Sequence, residues 1–483
     1  MSIDTQIKLL KRRRTKIVAT IGPASAEPAI IGRLIGAGVN VFRLNMSHGD
    51  HASHRTAFGH IRRIAGEAGL PVAVLADLCG PKIRTGRFRG GEIPVETGST
   101  ITVTTRNVIG EPGLIPSRYS ALADDVVKGD TILLNDGLIE LEVTTVRGQD
   151  ITCRVVYGGV LGDRKGINLP GVNVSAPSLT DKDREDARFA LDLGVDFLAL
   201  SFVRRAADID DLKALIREAG GDAAIVAKIE KPEALAEAEA IIEAADAIMV
   251  ARGDLGVELK PEQVPVAQSQ LIDLARTRFK PVIVATQMLE SMIDSARPTR
   301  AEVTDISHAV TSGTDAVMLS AETAAGAYPV EAVKMMDRIV RQTESHLWQQ
   351  GIYGSVGKRL EQRPVPMWNA MANAVAHVTH DLMAHAVLVL SKTGMSAATI
   401  SSGRPAAPVV AITGRPETCR RMALLWSVIP ILDKDSGSEN PNVLARRVAQ
   451  DLNLAAPGEH VVLIRGFHSD PELNTPSITV LTV

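Results

Sequence analysis

The sequence predicts an α/β protein: a (β/α)8 TIM barrel with an inserted small β-barrel lid domain, followed by a C-terminal α/β domain. Three observations carry this expectation. Eight short apolar runs recur among helical patterns, residues 80–178 switch to an alternating, turn-rich texture, and a second strand-and-helix series begins near residue 350. The 483-residue chain has room for roughly two to four domains.

The barrel strands are expected at residues 17–21, 40–44, 72–77, 196–201, 224–229, 247–250, 281–285 and 316–319. From the fourth onward each leads into an amphipathic pattern, such as 233–245 after the fifth. Before the eighth, 299–311 opens on Thr299-Arg-Ala-Glu302, a capping box. Inside the interruption, strands are expected at 100–105, 131–134, 139–143 and 151–155, between Lys-Gly-Asp, Asn-Asp-Gly and Arg-Gly-Gln-Asp turns. An insertion after a barrel strand emerges at the C-terminal face, where such barrels keep their active sites, so it is placed to act as a lid. A polar helix and residues 351–366 then mark a second boundary. A helix at 367–379 and strands at 386–390, 409–412, 429–432 and 460–464 follow. The expected division is 1–78 and 179–348 for the two parts of the barrel, 79–178 for the lid, and 349–483 for the last domain.

Hydrophobic residues at 45% and charged residues at 23% are ordinary for a globular protein and exclude wholesale disorder. A formal charge of −3 exerts no global pull toward nucleic acid or anionic lipid. The one dense basic run, Lys11-Arg-Arg-Arg14, reads as a solvated N-terminal face. Cys79, Cys153 and Cys419 make neither a disulfide framework nor a zinc spacing, which fits a reducing cytoplasm. Residues 1–14 are polar and basic with no apolar stretch after them, unlike a signal peptide, and no segment has the apolar length of a membrane span. A cytoplasmic protein with no membrane or nucleic-acid partner is expected.

Polar residues gather where the barrel strands end. The second strand leads to Arg43, Asn45, Ser47 and His48, the third to Asp77, the fourth to Ser201, and the fifth to Lys228 and Glu230. The sixth ends in Met249-Val-Ala-Arg-Gly-Asp-Leu-Gly256, the seventh in Thr286, and the eighth in Ser320 and Glu322. One polar strand end is usually a cap or turn residue; a whole ring of them points to a shared site. On an extended chain Lys228 and Glu230 face the same way. Glu230 and Asp254 make a two-carboxylate oxygen site of the kind Mg²⁺ accepts, with positions left for water and substrate oxygens. Lys228 and Arg43 add positive charge, the equipment for neutralising a phosphoryl group in transfer. Simple pairing of Lys228 with Glu230 is the plainer alternative. Backbone N–H groups at Gly253-Asp254 and the Thr286 hydroxyl suit a carboxylate, so a small acid bearing phosphate is the expected substrate.

These residues lie in longer motifs: Lys16-Ile-Val-Ala-Thr-Ile-Gly-Pro-Ala-Ser25, Val41-Phe-Arg-Leu-Asn-Met-Ser-His-Gly49, Gly80-Pro-Lys-Ile-Arg-Thr-Gly86 and Lys165-Gly-Ile-Asn-Leu-Pro-Gly171. Lys228-Ile-Glu230, Ala285-Thr-Gln-Met-Leu-Glu-Ser-Met292, Arg297-Pro-Thr-Arg-Ala-Glu302 and Val317-Met-Leu-Ser-Ala-Glu-Thr-Ala324 continue the series. With them the chain resembles the pyruvate kinases, strongly from about Arg14 to Arg341 and more loosely beyond. The resemblance implies phosphoryl transfer from phosphoenolpyruvate to ADP, then protonation of the enolate to give pyruvate and ATP. It implies Glu230 and Asp254 on Mg²⁺ (Mn²⁺ as a substitute), Lys228 on the phosphoryl group, Arg43 on the phosphate, and Gly253, Asp254 and Thr286 on the carboxylate. Thr286 would also belong to the protonation network. Thr20, Arg43, His48, Arg84 and Lys165 match nucleotide-contacting positions, and Asp136 matches a lid carboxylate. A homotetramer is implied as well.

Three departures stand out. Potassium-dependent relatives carry Glu where this chain has Lys82, whose ammonium could replace the charge of a bound K⁺. A K⁺ site of Asn45, Ser47, Asp77 and the Leu78 carbonyl would then be dispensable. Cys79 stands where many relatives have Lys or Gln, and a small, at least half-buried thiol is expected there. Ser391-Lys392-Thr393-Gly-Met-Ser396 matches an effector-phosphate loop and suits an anion nest, yet 466–475 lacks the glycine-rich form of fructose-bisphosphate responders. A sugar-phosphate effector is therefore an open expectation. Two other readings are a metal-dependent lyase or aldolase, which would need no nucleotide loop, and a silent sensor, which would be expected to lose Lys228, Glu230 or Asp254.

Overall fold

The computed structural model describes residues 13–352, 364–436, 438–468, 470 and 472–483. Its frame is a closed barrel of eight parallel strands: Lys16–Ile21, Val41–Asn45, Ala73–Asp77, Phe197–Leu200, Ala224–Ile229, Ala247–Ala251, Val282–Ala285 and Ala316–Leu319. Each strand pairs with its successor, and the eighth returns to the first with Lys16 opposite Ala316. The sides of most strand residues are buried because the lumen is packed within and helices cover the outside. Helices Pro28–Ala37, His51–Glu67, Asp181–Leu193, Ala206–Glu218, Val264–Thr277, Arg300–Thr311 and Pro329–Gln349 lie between or after the strands. Thr299 caps Arg300–Thr311 by the expected reciprocal box with Glu302. The pattern at 233–245 divides into Pro232–Ala236 and Ala238–Ala244.

After the third strand the chain leaves to build a six-stranded sheet and a two-stranded ribbon around a single core that includes Val103, Leu141, Cys153 and Leu161. The expected strands are found as Thr100–Thr104, Thr131–Leu134, Ile139–Arg147 and Asp150–Tyr157. Four shorter ones were not anticipated: Glu92–Val95, Leu114–Pro116, Gly159–Gly162 and Ile167–Asn168. Residues 83–86 join the two outer strands of the six-stranded ladder, the Gly86 N–H donating to the Pro116 carbonyl at 2.7 Å and the Ile167 N–H to the Ile83 carbonyl at 3.0 Å, so the sheet curls into the expected small barrel. The outermost strands of that ladder are Leu114–Pro116 and Ile167–Asn168, and Pro94 sits in the separate ribbon. Pro116 and Pro94 bring no N–H to a ladder, which suits them to edges.

The last domain is a five-stranded sheet, parallel through Val428–Leu432, Val409–Thr413, Ala386–Leu390 and His460–Arg465, with Ser477–Thr482 added antiparallel at one side. It closes the N-terminal end of the barrel. Leu424 joins the barrel's own inner core beside Val18, Leu75 and Met249. Around it, Lys16 Nζ donates to the Val428 carbonyl at 2.6 Å, Arg404 reaches Asp315 Oδ1 at 2.9 Å and Arg420 reaches Asp196 Oδ1 at 2.7 Å.

Lys11 and Arg12 of the basic run, and residues 353–363 of the expected boundary, lie outside the described residues. Arg13 corrects the solvated reading of that run. It is buried, donates to the Gly38 carbonyl at 2.5 Å and pairs with Asp337 at 3.1 Å, because the first barrel strand draws it under the helices at once.

Candidate active site

The strand register brings the polar ends together at one mouth of the barrel. Thr20 pairs with Arg43 and Asn45 with Asp77 across neighbouring strands. Arg43 Nη1 therefore donates to Thr20 Oγ1 at 3.2 Å, and Arg43 Nε to Asp77 Oδ2 at 2.6 Å. Lys228 sits at the centre. Its Nζ lies 2.6 Å from Ser201 Oγ, 2.9 Å from Glu230 Oε1 and 3.2 Å from Asp77 Oδ1. Ser201 passes the interaction on by donating to the Leu78 carbonyl at 2.7 Å.

Burial by itself would pull the Lys228 ammonium down, but the Asp77 and Glu230 carboxylates outweigh it and hold the group well above its ordinary value. Lys228 is thus a fixed positive charge. Asp77 faces the same burial penalty, but Lys228 and Arg43 keep it below the usual carboxylate range. Glu230 behaves differently: burial pushes it up, Lys228 draws it down, and the negative charge of Asp254 pushes it up again. One Glu230 oxygen accepts the Phe202 N–H at 2.8 Å; the other has the Lys228 ion pair but no aligned hydrogen bond.

Asp254 stands in the first turn of Arg252–Glu258, and its neighbour Gly253 lies against Thr286. Thr286 takes the unusual φ of +70° and Gln287 +54°. Arg252 holds that strand end, donating to the Thr286 carbonyl at 2.7 Å and to Asp305 at 2.6 Å. The Gly253 N–H and the Thr286 hydroxyl, expected side by side, are so, but they bond one another at 2.7 Å. A substrate carboxylate seated there would have to compete with that bond.

Asp254, Phe202 and Lys231 share a cavity with Lys82, Asp136, Gly166 and Asn168 from the inserted segment, so the site lies between barrel and insertion. His48, Lys165 and Asp136 are exposed and Arg84 half-buried, with Arg84 donating to the Arg164 carbonyl at 3.1 Å. Within the expected K⁺ set, Asn45 accepts the Ser47 N–H at 3.1 Å, Leu78 accepts from Ser201, and Asp77 faces Arg43 and Lys228. Cys79 is half-buried. Ser391, Lys392, Thr393 and Ser396 sit in the C-terminal domain, where Ser391 Oγ accepts the Gly394 N–H at 3.1 Å and Gly394 takes φ +92°. Phe202, Lys231 and Glu258 were not foreseen. No local motif pairs Lys231 with a residue 27 positions away, and Phe202 at φ +55° matters through its backbone N–H.

Two carboxylates, a permanently charged lysine and an arginine, gathered at the C-terminal mouth of a (β/α)8 barrel, define an enzyme of phosphoryl transfer. The comparisons with known proteins agree. Residues 12–333 match the pyruvate kinase barrel domain and 369–481 the pyruvate kinase alpha/beta domain. The chain is 46% identical to pyruvate kinase 2 of Synechocystis over 94% of its length and 76% of that protein's. It is 42% identical to a pyruvate kinase of Agrobacterium vitis over 98% and 97%. Among solved structures, a pyruvate kinase from Cryptosporidium parvum superposes with a TM-score of 0.90, at 36% identity, over 98% of this chain and 97% of the other. The chain belongs to the pyruvate kinase family. It is a phosphotransferase of glycolysis, moving the phosphoryl group of phosphoenolpyruvate to ADP to give pyruvate and ATP. The family is metal-dependent. Among the described residues no helix is long and apolar enough to cross a membrane.

Proposed function

We propose that Glu230 and Asp254 hold the Mg²⁺ of this reaction, with Mn²⁺ able to take its place. The donor set fits: Mg²⁺ needs only one or two carboxylates beside water and substrate oxygens, and Glu230 Oε1 is buried without an aligned hydrogen bond. Burial chiefly, and the charge of Asp254 after it, keep Glu230 high, and a cation between the two carboxylates would relieve their repulsion. Bound there, the ion would supply Lewis-acid neutralisation of phosphoryl oxygens.

The protein's own groups do the rest. Lys228, kept charged by Asp77 and Glu230, stabilises negative charge on the phosphoryl group as it moves, and Arg43, steadied by Asp77 and Thr20, grips the phosphate. Gly253, Asp254 and Thr286 seat the carboxylate, and Thr286 belongs to the proton path to the enolate. Thr20, Arg43, His48, Arg84 and Lys165 take the nucleotide, and Asp136 approaches from the insertion, which acts as a lid. Lys82 makes K⁺ dispensable; the hydrogen-bonded state of Asn45, Asp77 and the Leu78 carbonyl supports this. Ser391, Lys392, Thr393 and Ser396 form an anion nest for a phosphorylated effector, supported by the positive φ of Gly394. A cytoplasmic homotetramer remains the family-based expectation.

The observation that carries this reading is the Lys228 ammonium held among Asp77, Glu230 and Ser201. Lys228→Met should retain Mn²⁺ binding, read by electron paramagnetic resonance, while ADP-dependent pyruvate formation falls about a thousandfold. Near-normal turnover in that variant would remove Lys228 from the mechanism.

A further inference from the structure

One residue beyond the proposed metal ligand Glu230, Lys231 makes a buried ion pair with Glu258, Nζ to Oε1 at 2.6 Å. Glu258 ends the helix whose first turn carries Asp254. The same Oε1 accepts the side-chain amide of Asn168 at 3.2 Å, and Asn168 belongs to the inserted segment, on its short strand Ile167–Asn168. The turn bearing Asp136 meets the start of that strand on the face that Asn168 shares. A Cβ placed on Gly166 would lie 3.7 Å from Asp136 Oδ1 and 3.8 Å from Asn168 Oδ1, and the Asn135 N–H donates to the Gly166 carbonyl at 3.1 Å. Gly137, next to Asp136, faces Val257, the neighbour of Glu258.

From this chain of contacts we infer that Lys231 is a positioning residue: through Glu258 and Asn168 it fixes where the inserted domain presents Asp136 to the helix that carries Asp254. The inference rests on the reading of Asp136 as a lid carboxylate. Burying the carboxylate of Glu258 without a cation is costly, since among the described residues the amide of Asn168 would be its one remaining polar partner. Lys231 supplies that cation, and Glu258 Oε1 can then serve as the acceptor that anchors Asn168. Glu258 Oε2 is buried without a hydrogen-bond partner, so the tie depends on the single oxygen shared by Lys231 and Asn168. The Phe202 ring, 6.0 Å from Lys231 Nζ, fills the adjoining wall. Arg204 makes a second connection, donating to the carbonyls of Val174 and of Ala176 on the segment returning to the barrel.

The test separates positioning from mere stability. Asn168→Ala should raise the KM for ADP about tenfold, the size expected for losing one hydrogen bond to a charged group, with the KM for phosphoenolpyruvate and Mn²⁺ binding unchanged. In Lys231→Met/Glu258→Leu an apolar pair replaces the buried ions, an exchange that is often neutral for stability. That double variant should melt near the parent temperature yet keep the raised KM for ADP. If it fails to fold, Asn168→Ala carries the test alone. A parental KM for ADP in both variants, while Asp136→Ala raises it, would show that the tie serves stability only and would overturn the inference. If Asp136→Ala itself leaves the KM for ADP unchanged, the lid-carboxylate reading fails, and this inference fails with it.

Discussion

Lys228 and Asp77 stand 3.2 Å apart, Nζ to Oδ1, although they end barrel strands that are not neighbours. Ser201, from the strand between, donates to the Leu78 carbonyl and accepts from Lys228. Asp77 also takes Arg43 Nε at 2.6 Å, so one carboxylate orients both cations that would face the phosphoryl group. Asp77→Asn should leave Mn²⁺ binding intact and lower kcat/KM for phosphoenolpyruvate about a hundredfold, or ~2.7 kcal/mol of transition-state stabilisation. An effect confined to the KM for ADP would contradict the orienting role.

Arg252 holds the Thr286 carbonyl at 2.7 Å while Thr286 sits at a left-handed φ of +70°. Such a conformation costs about 1–3 kcal/mol and persists only where its surroundings impose it. Arg252→Met should therefore release Thr286 and depress kcat more than the KM for phosphoenolpyruvate. Steady-state kinetics distinguish the two parameters.

Turnover should be little changed when KCl replaces an organic ammonium chloride at matched ionic strength, because Lys82 would supply the positive charge. Lys82→Glu should create a requirement for K⁺. Strong stimulation of the parent protein by KCl would overturn this assignment.

Lys16 is fully buried against the Val428 carbonyl, and burial, aided by Arg13, lowers its pKa to about 7, against the partial support of Glu344 and Asp315. In the unfolded chain the same group titrates near 10.5. Between those values the unfolded state holds more protons, so stability must rise with pH across that window, and the penalty is complete below about pH 7. The melting temperature of the parent relative to Lys16→Met should climb from pH 7 to pH 10. A flat difference would show that Lys16 does not titrate in that range.

Leu424 fills the N-terminal end of the barrel from the C-terminal domain and is wholly buried. Leu424→Ala should cost about 2–5 kcal/mol, from lost burial and the cavity left behind. Chemical denaturation followed by probes in both domains should show both destabilised, because the side chain is carried by one domain and buried in the core of the other.

Much of the fold was legible in the sequence. A barrel strand is a short apolar run bounded by turns, and eight of them announce themselves without tertiary information. The short strands Glu92–Val95 and Ile167–Asn168 do not, since a few residues with Pro or Gly beside them carry too little periodicity. Lys228 and Glu230, two apart on one strand, could be placed on a common face from the pleat alone, and Thr299 with Glu302 could be read as a cap from spacing alone. The tertiary structure alone decided the rest. It brought Asp77 to Lys228 and Arg43, buried Arg13 where a solvated face was expected, set the Gly253 N–H on Thr286, and joined Lys231 to Glu258 and Asn168. The physical reason is common to all four. Local pattern fixes which way a side chain points along its own strand or helix, but its partner is chosen by barrel closure and by the return of the inserted segment, which bring together residues with no short-range relation in sequence.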